Sequence, residues 1–364
     1  MTHATPTPPE SAQAASRSLA ERVNAPAVLP LPSVGEDLTW RRLRRSDLPA
    51  LLELDNRCGA VDNPRLVNTL DMFEEGFDAP SFTPELDSAV AVDGDGVLVA
   101  YGESVRDSEA ETLVKVHLNG QVRPDRRGEG IGTALLAWQQ GRGRQLLAES
   151  EAPLPGWLTA SAESGAPGKR ALLERAGFRP TRWWFTMTRD LSEPIPEIEL
   201  AGHLRIEPYR NELSEDARRV INDAFRDHWG SQPLNREDWE SIARLRSFKP
   251  ELGAVVMATR EDGAEELAGV LRIMIVEEEW EPNGFTFAYI EVLGVARAWR
   301  GQRIAQALLA HTLRTLRGLG LERAMLDVDS ESPTGAVGLY GRLGFTEHDR
   351  SLTLNQEFPL DGAS

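Results

Sequence analysis

The residues that could do chemistry gather at two turns rich in glycine and arginine and on the strand before the second. The first turn reads Arg123-Pro124-Asp125-Arg126-Arg127-Gly128-Glu129-Gly130-Ile131-Gly132-Thr133, and the second reads Ala296-Arg297-Ala298-Trp299-Arg300-Gly301-Gln302-Arg303-Ile304-Ala305. A strand-like run leads into each, Val114 to Val122 and Phe285 to Val295. A helical pattern follows each, with Ile131, Leu135 and Trp138 on one face in the first copy and Ile304, Leu308 and Leu309 in the second. The free N–H groups of such a first helical turn, backed by the positive end of the helix dipole, suit a pyrophosphate. Glycines let the backbone come close to the phosphates, and arginines add charge and paired donors. On the strand before the second turn, period-two alternation places Phe285, Phe287, Tyr289, Glu291, Leu293 and Val295 on one face. Burial there would raise the pKa of Glu291 toward that of a base working near neutrality. A strand-end glutamate facing solvent fits the same pattern equally well.

Two other phosphate sites are excluded by spacing. A dinucleotide turn wants Gly-x-Gly-x-x-Gly, whereas Gly128, Gly130 and Gly132 alternate; a P-loop needs Gly-Lys-Ser/Thr, which Gly168-Lys169-Arg170 does not supply. Asp227-His228-Trp229, at the end of a helical stretch, combines an acid, an imidazole and an indole that could hold an ammonium or a sugar-like hydroxyl. A helix cap with a core tryptophan accounts for these three residues as well. The remaining histidines show no metal-ligand spacing, and no metal is expected.

The elements that must position these residues occur twice. Each copy opens with a strand, Leu38–Leu43 or His203–Glu207, followed by a helical stretch, Leu51–Asn56 or Glu215–Arg226. Strand-rich runs come next, Ala89–Val92 with Val97–Ala100, and Ala254–Met257 with Leu267–Val276. After the turns, Arg175-Ala176-Gly177-Phe178 corresponds to Arg342-Leu343-Gly344-Phe345. The expectation is an α/β (α+β) architecture present twice. Residues 1–35, rich in Pro, Ala, Ser and Thr, read as a disordered leader. Residues 36–192 form the first domain, 193–201 a Pro-interrupted linker and 202–358 the second domain.

Bulk composition narrows the function classes. The 364 residues suffice for two domains with real cores. A net charge of −17 argues against a nucleic-acid backbone as partner and, more weakly, favours a cationic substrate. No run reads as a membrane span or secretory signal, and the single cysteine, Cys58, suits a reducing cytoplasm.

Val122-x-Pro124-x-Arg126-Arg127-Gly128-x-Gly130-Ile131-Gly132 resembles the acyl-CoA signature of the GNAT superfamily of N-acetyltransferases, with Arg127, Gly130 and Gly132 in its fixed places. The second turn keeps Arg300 and Ala305 but carries Arg303 where the signature has a small residue. Ala336-Val337-Gly338-Leu339-Tyr340, ending in Gly344-Phe345, resembles the later Ala-x-x-Leu-Tyr segment of the family. The two-copy layout is similar to that of mycothiol synthase-like tandem members.

The resemblance implies two folds, each a mixed, mostly antiparallel sheet flanked by helices. It implies acetyl-CoA as co-substrate, held in the second copy by Leu293, Val295 and Arg300 to Ala305, and in the first by Val122 and Arg127 to Thr133. It implies transfer of acetyl to a small-molecule primary amine, with Glu291 as base, Tyr340 as acid and Asp227, His228 and Trp229 near the acceptor. The first copy has Leu118 and Leu173 at the matching places, so it is expected to bind without turnover. A non-catalytic acyl-CoA sensor and a peptide or protein N-acetyltransferase remain the alternatives. The chain is expected to act as a monomer or homodimer.

Overall fold

The computed structural model describes residues 17–361. The first repeat contains β1 (Thr39–Arg41), β2 (Ser88–Val92), β3 (Leu98–Arg106), β4 (Val114–Val122), β5 (Gly156–Glu163) and β6 (Arg179–Asp190). The second contains β7 (Leu204–Pro208), β8 (Ala254–Thr259), β9 (Glu265–Met274), β10 (Phe287–Val295), β11 (Arg323–Asp329) and β12 (Thr346–Phe358). The helices are α1 (Leu19–Val23), α2 (Leu48–Asp62), α3 (Leu70–Asp78), α4 (Pro84–Asp87), α5 (Ile131–Ala148), α6 (Pro167–Arg175), α7 (Ser214–Phe225), α8 (Arg236–Arg244), α9 (Trp280–Asn283), α10 (Ile304–Gly318) and α11 (Ala336–Arg342). The expected mixed, mostly antiparallel sheet flanked by helices is present twice. No described helix is long and apolar enough to cross a membrane.

The strands form one sheet in the order β1-β2-β3-β4-β5-β12-β6-β11-β10-β9-β8-β7. The two repeats therefore exchange their last strands. β12 pairs with β5 of the first repeat, β6 pairs with β11 of the second, and β6 and β12 pair antiparallel at the centre. Burial follows the exchange. Leu352 and Leu354 of β12 sit in the core beneath α5, while Met187 of β6 and the adjoining Leu191 sit in the core beneath α10. The 193–201 segment connects the repeats along the chain, with Ile195 and Leu200 packed on the second core.

The leader expectation needs correction. Residues 1–16 lie outside the described residues, but residues 17–35 pack on the first half. Ser18 and Glu21 form a capping box that starts α1, and Leu19 and Val23 are buried. Leu29, Leu31 and Val34 cover the Ile131, Leu135 and Trp138 face of α5. Prolines forbid a long helix or a central strand here, but they do not prevent apolar side chains between them from docking. Two glycines make room: a Cβ on Gly141 would lie 2.6 Å from Leu29, and one on Gly156 would lie 2.8 Å from Leu19.

Because each core contains a strand of the other half, the chain should unfold in one calorimetric transition. After cleavage at a protease site engineered within 193–201, the two fragments should co-elute on size exclusion. Two transitions, or fragments that separate as folded monomers, would contradict the exchange.

Candidate active site

β10 and β11 pair in parallel at only three positions, Phe287↔Arg323, Ala288↔Ala324 and Tyr289↔Met325, and then diverge. A cavity of about 600 Å³ occupies the opening. Its walls are β10 from Tyr289 to Val295, Asp327 and Asp329 of β11, the turn from Arg300 into α10, and Leu339 and Tyr340 of α11. Phe225 and His228 close one side, and Trp184 arrives from the exchanged β6.

Glu291 lies at a β-bulge. Ile290 pairs with Ile273 and Val292 with Arg272, so Glu291 has no partner on β9. The bulge corrects the expected alternation, since an inserted residue reverses the pattern beyond it. Leu293 and Val295 pack with Ile290 against the α10 core, while Val292 packs on the α7 and α8 side. Glu291 belongs to that second side, where Arg272 Nε stands 3.3 Å from its Oε2. Glu291 and the pair Leu293 and Val295 thus face opposite ways, although all three line the cavity. Burial raises the Glu291 pKa, and the Arg272 guanidinium opposes the rise.

Tyr340 meets the same cavity from α11 with its ring against Phe345, centroids 5.8 Å apart. Burial pushes its phenol up to about 12, which keeps the hydroxyl protonated across the neutral range. His228 lines the cavity, and burial lowers its pKa, favouring the neutral imidazole. The other two acceptor candidates lie elsewhere. Asp227 forms an ion pair with Arg297 and stands 4.0 Å from Arg300. Trp229 stacks on Trp157 of the first repeat with centroids 4.8 Å apart, and Arg182 lies over its ring.

The two turns share a backbone trace. Gly128 and Gly130 have φ of 87° and 85°, and their counterparts Gly301 and Arg303 have 82° and 62°. Arg303 takes the left-handed conformation of the glycine it replaces, so the turn enters α10 as the first turn enters α5. Arg303 lines the cavity together with Ile304 and Ala305. Arg300 donates to the Ala224 carbonyl at 2.8 Å, and the Gln302 side chain meets His203 at 3.0 Å.

The first repeat builds the same turn after a strand without the bulge. β4 holds unbroken register against β3, with Leu118 opposite Ser104. Leu173 of α6 is buried. Arg127 forms a two-point pair with Asp62 of α2 at 2.8 and 2.7 Å and also donates to the Val122 carbonyl at 3.0 Å. The Cys58 thiol donates to that same carbonyl. Arg126 is held by Glu129 and Asp37. Gly130, Ile131, Gly132 and Thr133 open α5 with Val34 of the docked leader 3.8 Å from the Cβ position of Gly130.

Sequence reasoning missed Trp184, Tyr289, Asp327, Asp329 and Arg272. Asp327 and Asp329 had a signal, since two acids two apart on a strand share a face. Trp184 had none, because it reaches the cavity only through the strand exchange. A second cavity of about 720 Å³ lies between the halves, walled by Asp107, Lys115 and Asp238 among others, and it shares Phe225 and Val292 with the first.

The acetyltransferase (GNAT) family matches residues 214–345. A mycothiol acetyltransferase of Salinispora arenicola is 33% identical over 259 residues, spanning 69% of this chain and 75% of that one. Among solved structures, a GCN5-related N-acetyltransferase from Sphaerobacter thermophilus is similar at a TM-score of 0.66 and 25% identity, over 90% of this chain and 98% of that one. A tandem GNAT protein from the clavulanic acid biosynthesis pathway shares the fold at a TM-score of 0.62 and 17% identity, over 88% of this chain and 98% of its own.

A left-handed non-glycine residue costs roughly 1–2 kcal/mol. Arg303→Gly should therefore raise the melting midpoint by about 2 °C or more, whereas Arg303→Ala should give no such gain. Calorimetric melts of the three proteins check this, and a lower midpoint for the glycine variant would contradict the left-handed assignment.

Proposed function

Because the chain belongs to the GNAT family of N-acetyltransferases, among its tandem, mycothiol acetyltransferase-like members, we propose that its second repeat transfers the acetyl group of acetyl-CoA to a small-molecule primary amine. The observation that carries this reading is the convergence of Glu291, Tyr340 and the first turn of α10 on one cavity. The relatives' name favours an acceptor from mycothiol chemistry.

In this reading the CoA pyrophosphate rests on the N–H groups at the start of α10, with Arg300 and Arg303 beside it. The thioester arm runs along the free edge of β10, which the divergence from β11 leaves without a strand partner. Backbone N–H groups between Val292 and Val295 stabilise the carbonyl oxygen as negative charge develops. The acceptor arrives on the Glu291 side, past His228 and from the cavity between the halves. Glu291 removes one proton from the ammonium, and the freed nitrogen attacks the thioester carbon. The C–N bond forms and the C–S bond breaks. Tyr340 gives its proton to the departing thiolate, and the second proton released by the nitrogen restores the Tyr340 hydroxyl, so the products are amide, thiol and the proton held by Glu291. Holding amine and thioester together supplies much of the acceleration.

The first repeat, with Leu118 and Leu173 at the corresponding places and no bulge, serves as a scaffold for the cleft and supplies Trp184 to the cavity.

Tyr340→Phe should lower kcat by about 100-fold or more, in the range general acid catalysis contributes, while leaving acetyl-CoA affinity near that of the parent. An unchanged rate would remove Tyr340 from the mechanism. Calorimetric titration with acetyl-CoA locates the cofactor. Binding should survive in an Arg127→Ala/Gly130→Ala variant, and its loss there would move the site to the first repeat and overturn the assignment.

A further inference from the structure

Arg272 has no exposed surface, and among the described residues none of its three guanidinium nitrogens has a hydrogen-bond partner. Its guanidinium carbon lies 3.9 Å from the Trp239 ring centroid and 4.4 Å from that of Phe248. A cation taken out of water needs compensation, and two π faces meet part of that need. The remainder falls to Glu291, the one carboxylate in an ion pair with Arg272 among the described residues; the Glu291 Oε2 is 3.3 Å away and has no hydrogen bond among them. The contact is set by backbone register. Arg272 pairs with Val292, the residue after the bulge, so the bulge that frees Glu291 also brings it beside Arg272.

We propose that Arg272 is a positioning residue that holds the Glu291 carboxylate at the cavity wall and keeps it ionised despite its burial. The proposal rests on the reading of Glu291 as the base. A buried carboxylate alone would take a proton and lose that role; a fixed cation beside it favours the charged form. Trp239 and Phe248 exclude water, so the cation acts in a poorly screened setting. The first repeat, which has Leu118 in place of the glutamate, has Ser104 opposite it, and Ser104 is spent on the Gln139 carbonyl. Neither member of the pair is present at that site.

The other groups near the pair are few. Tyr209 lies near Arg272. Tyr289 lies near both Glu291 and Asp327, and burial holds its phenol protonated. His228 and Asp329 share the cavity wall from α7's end and from β11. Burial disfavours the charged form of His228, so it supplies no steady cation to replace Arg272.

The test is the pH dependence of kcat/KM for the full-length protein and its Arg272→Met, Arg272→Gln, Arg272→Lys and Glu291→Gln variants, each with a melting curve to establish folding. In the parent, activity rises with pH as Glu291 loses its proton. Removing the cation raises the Glu291 pKa, so the acidic limb should move up by about one to three pH units in the Met and Gln variants. Their rate should fall at neutral pH and recover at alkaline pH, and the Lys variant should restore part of the shift. A purely structural role would lower the whole profile without moving its limb. If Glu291→Gln removes the limb while the folded Arg272 variants keep the parent's midpoint, the base reading stands and the role of Arg272 is overturned. If Glu291→Gln keeps the parent's profile, the base reading fails and this proposal with it. If neither neutral variant folds, the parent decides: infrared difference spectra of the parent against Glu291→Gln should show the Glu291 group as a carboxylate at neutral pH, and a protonated carboxyl band there overturns the proposal.

Discussion

The register of β6 against β12 holds the two halves of this molecule to one another and sets what each can enclose. These strands are the last of their repeats, and each completes the sheet of the other repeat. Hydrogen bonding runs without a break from β1 to β7, so twist accumulates across a single sheet. The exchange also supplies side chains. Trp183 packs against the first core and Trp184, the next residue, lines the cavity of the second. Adjacent residues of a strand point to opposite faces, so one short stretch of β6 serves both halves. Trp184 Nε1 donates to Thr353 of β12 at 2.9 Å, which ties the cavity wall to the central pairing.

Against this shared frame the repeats differ in one backbone detail with large chemical effect. β10 carries the bulge and β4 does not. A bulge leaves a residue without a ladder partner and bends the strand locally. Both strands part from their parallel neighbours, β4 from β5 after His117 and β10 from β11 after Tyr289; where the bulge occurs, Glu291 lines the cavity at the opening. Where it is absent, the carbonyl of Val122 is taken by Arg127 and Cys58, and α2 closes over the strand end through Asp62. The residue at the matching position then follows from its surroundings. Leu118 is 3% exposed in the first core, where an unpaired carboxylate would be costly. In the second half burial raises the Glu291 pKa, and the Arg272 guanidinium beside it opposes the rise.

Local features were legible in the amino-acid sequence and long-range ones were not. Strand, turn and helix around Arg127 and Arg300 showed in the change from period-two to helical periodicity. Helix α7 was read as Glu215–Arg226 and spans Ser214–Phe225. The exchange of β6 and β12 left no trace, because each strand carries a pattern that suits either sheet edge. The bulge was hidden as well. Alternation counted from Phe285 put Glu291, Leu293 and Val295 on one face, and a single inserted residue reversed that for the last two. The packed leader was misread because composition reports what secondary structure a segment can form, not whether its leucines find a surface.

Arg303 shows how a departure from a motif can leave the geometry intact. A glycine signature marks a backbone conformation, and the side chain matters only where it would collide. At the matching Gly130 the nearest atom to an added Cβ is 3.8 Å away, so space does not exclude a larger residue there. The penalty at Arg303 is therefore one of dihedral angle alone, small against the stability of a two-core sheet. Arg303 lines the cavity and brings a second arginine beside Arg300 at the start of α10. A substitution that weakens the match to the family pattern can thus strengthen the site electrostatically for a pyrophosphate, since the helix N-terminus and the added guanidinium act in the same direction.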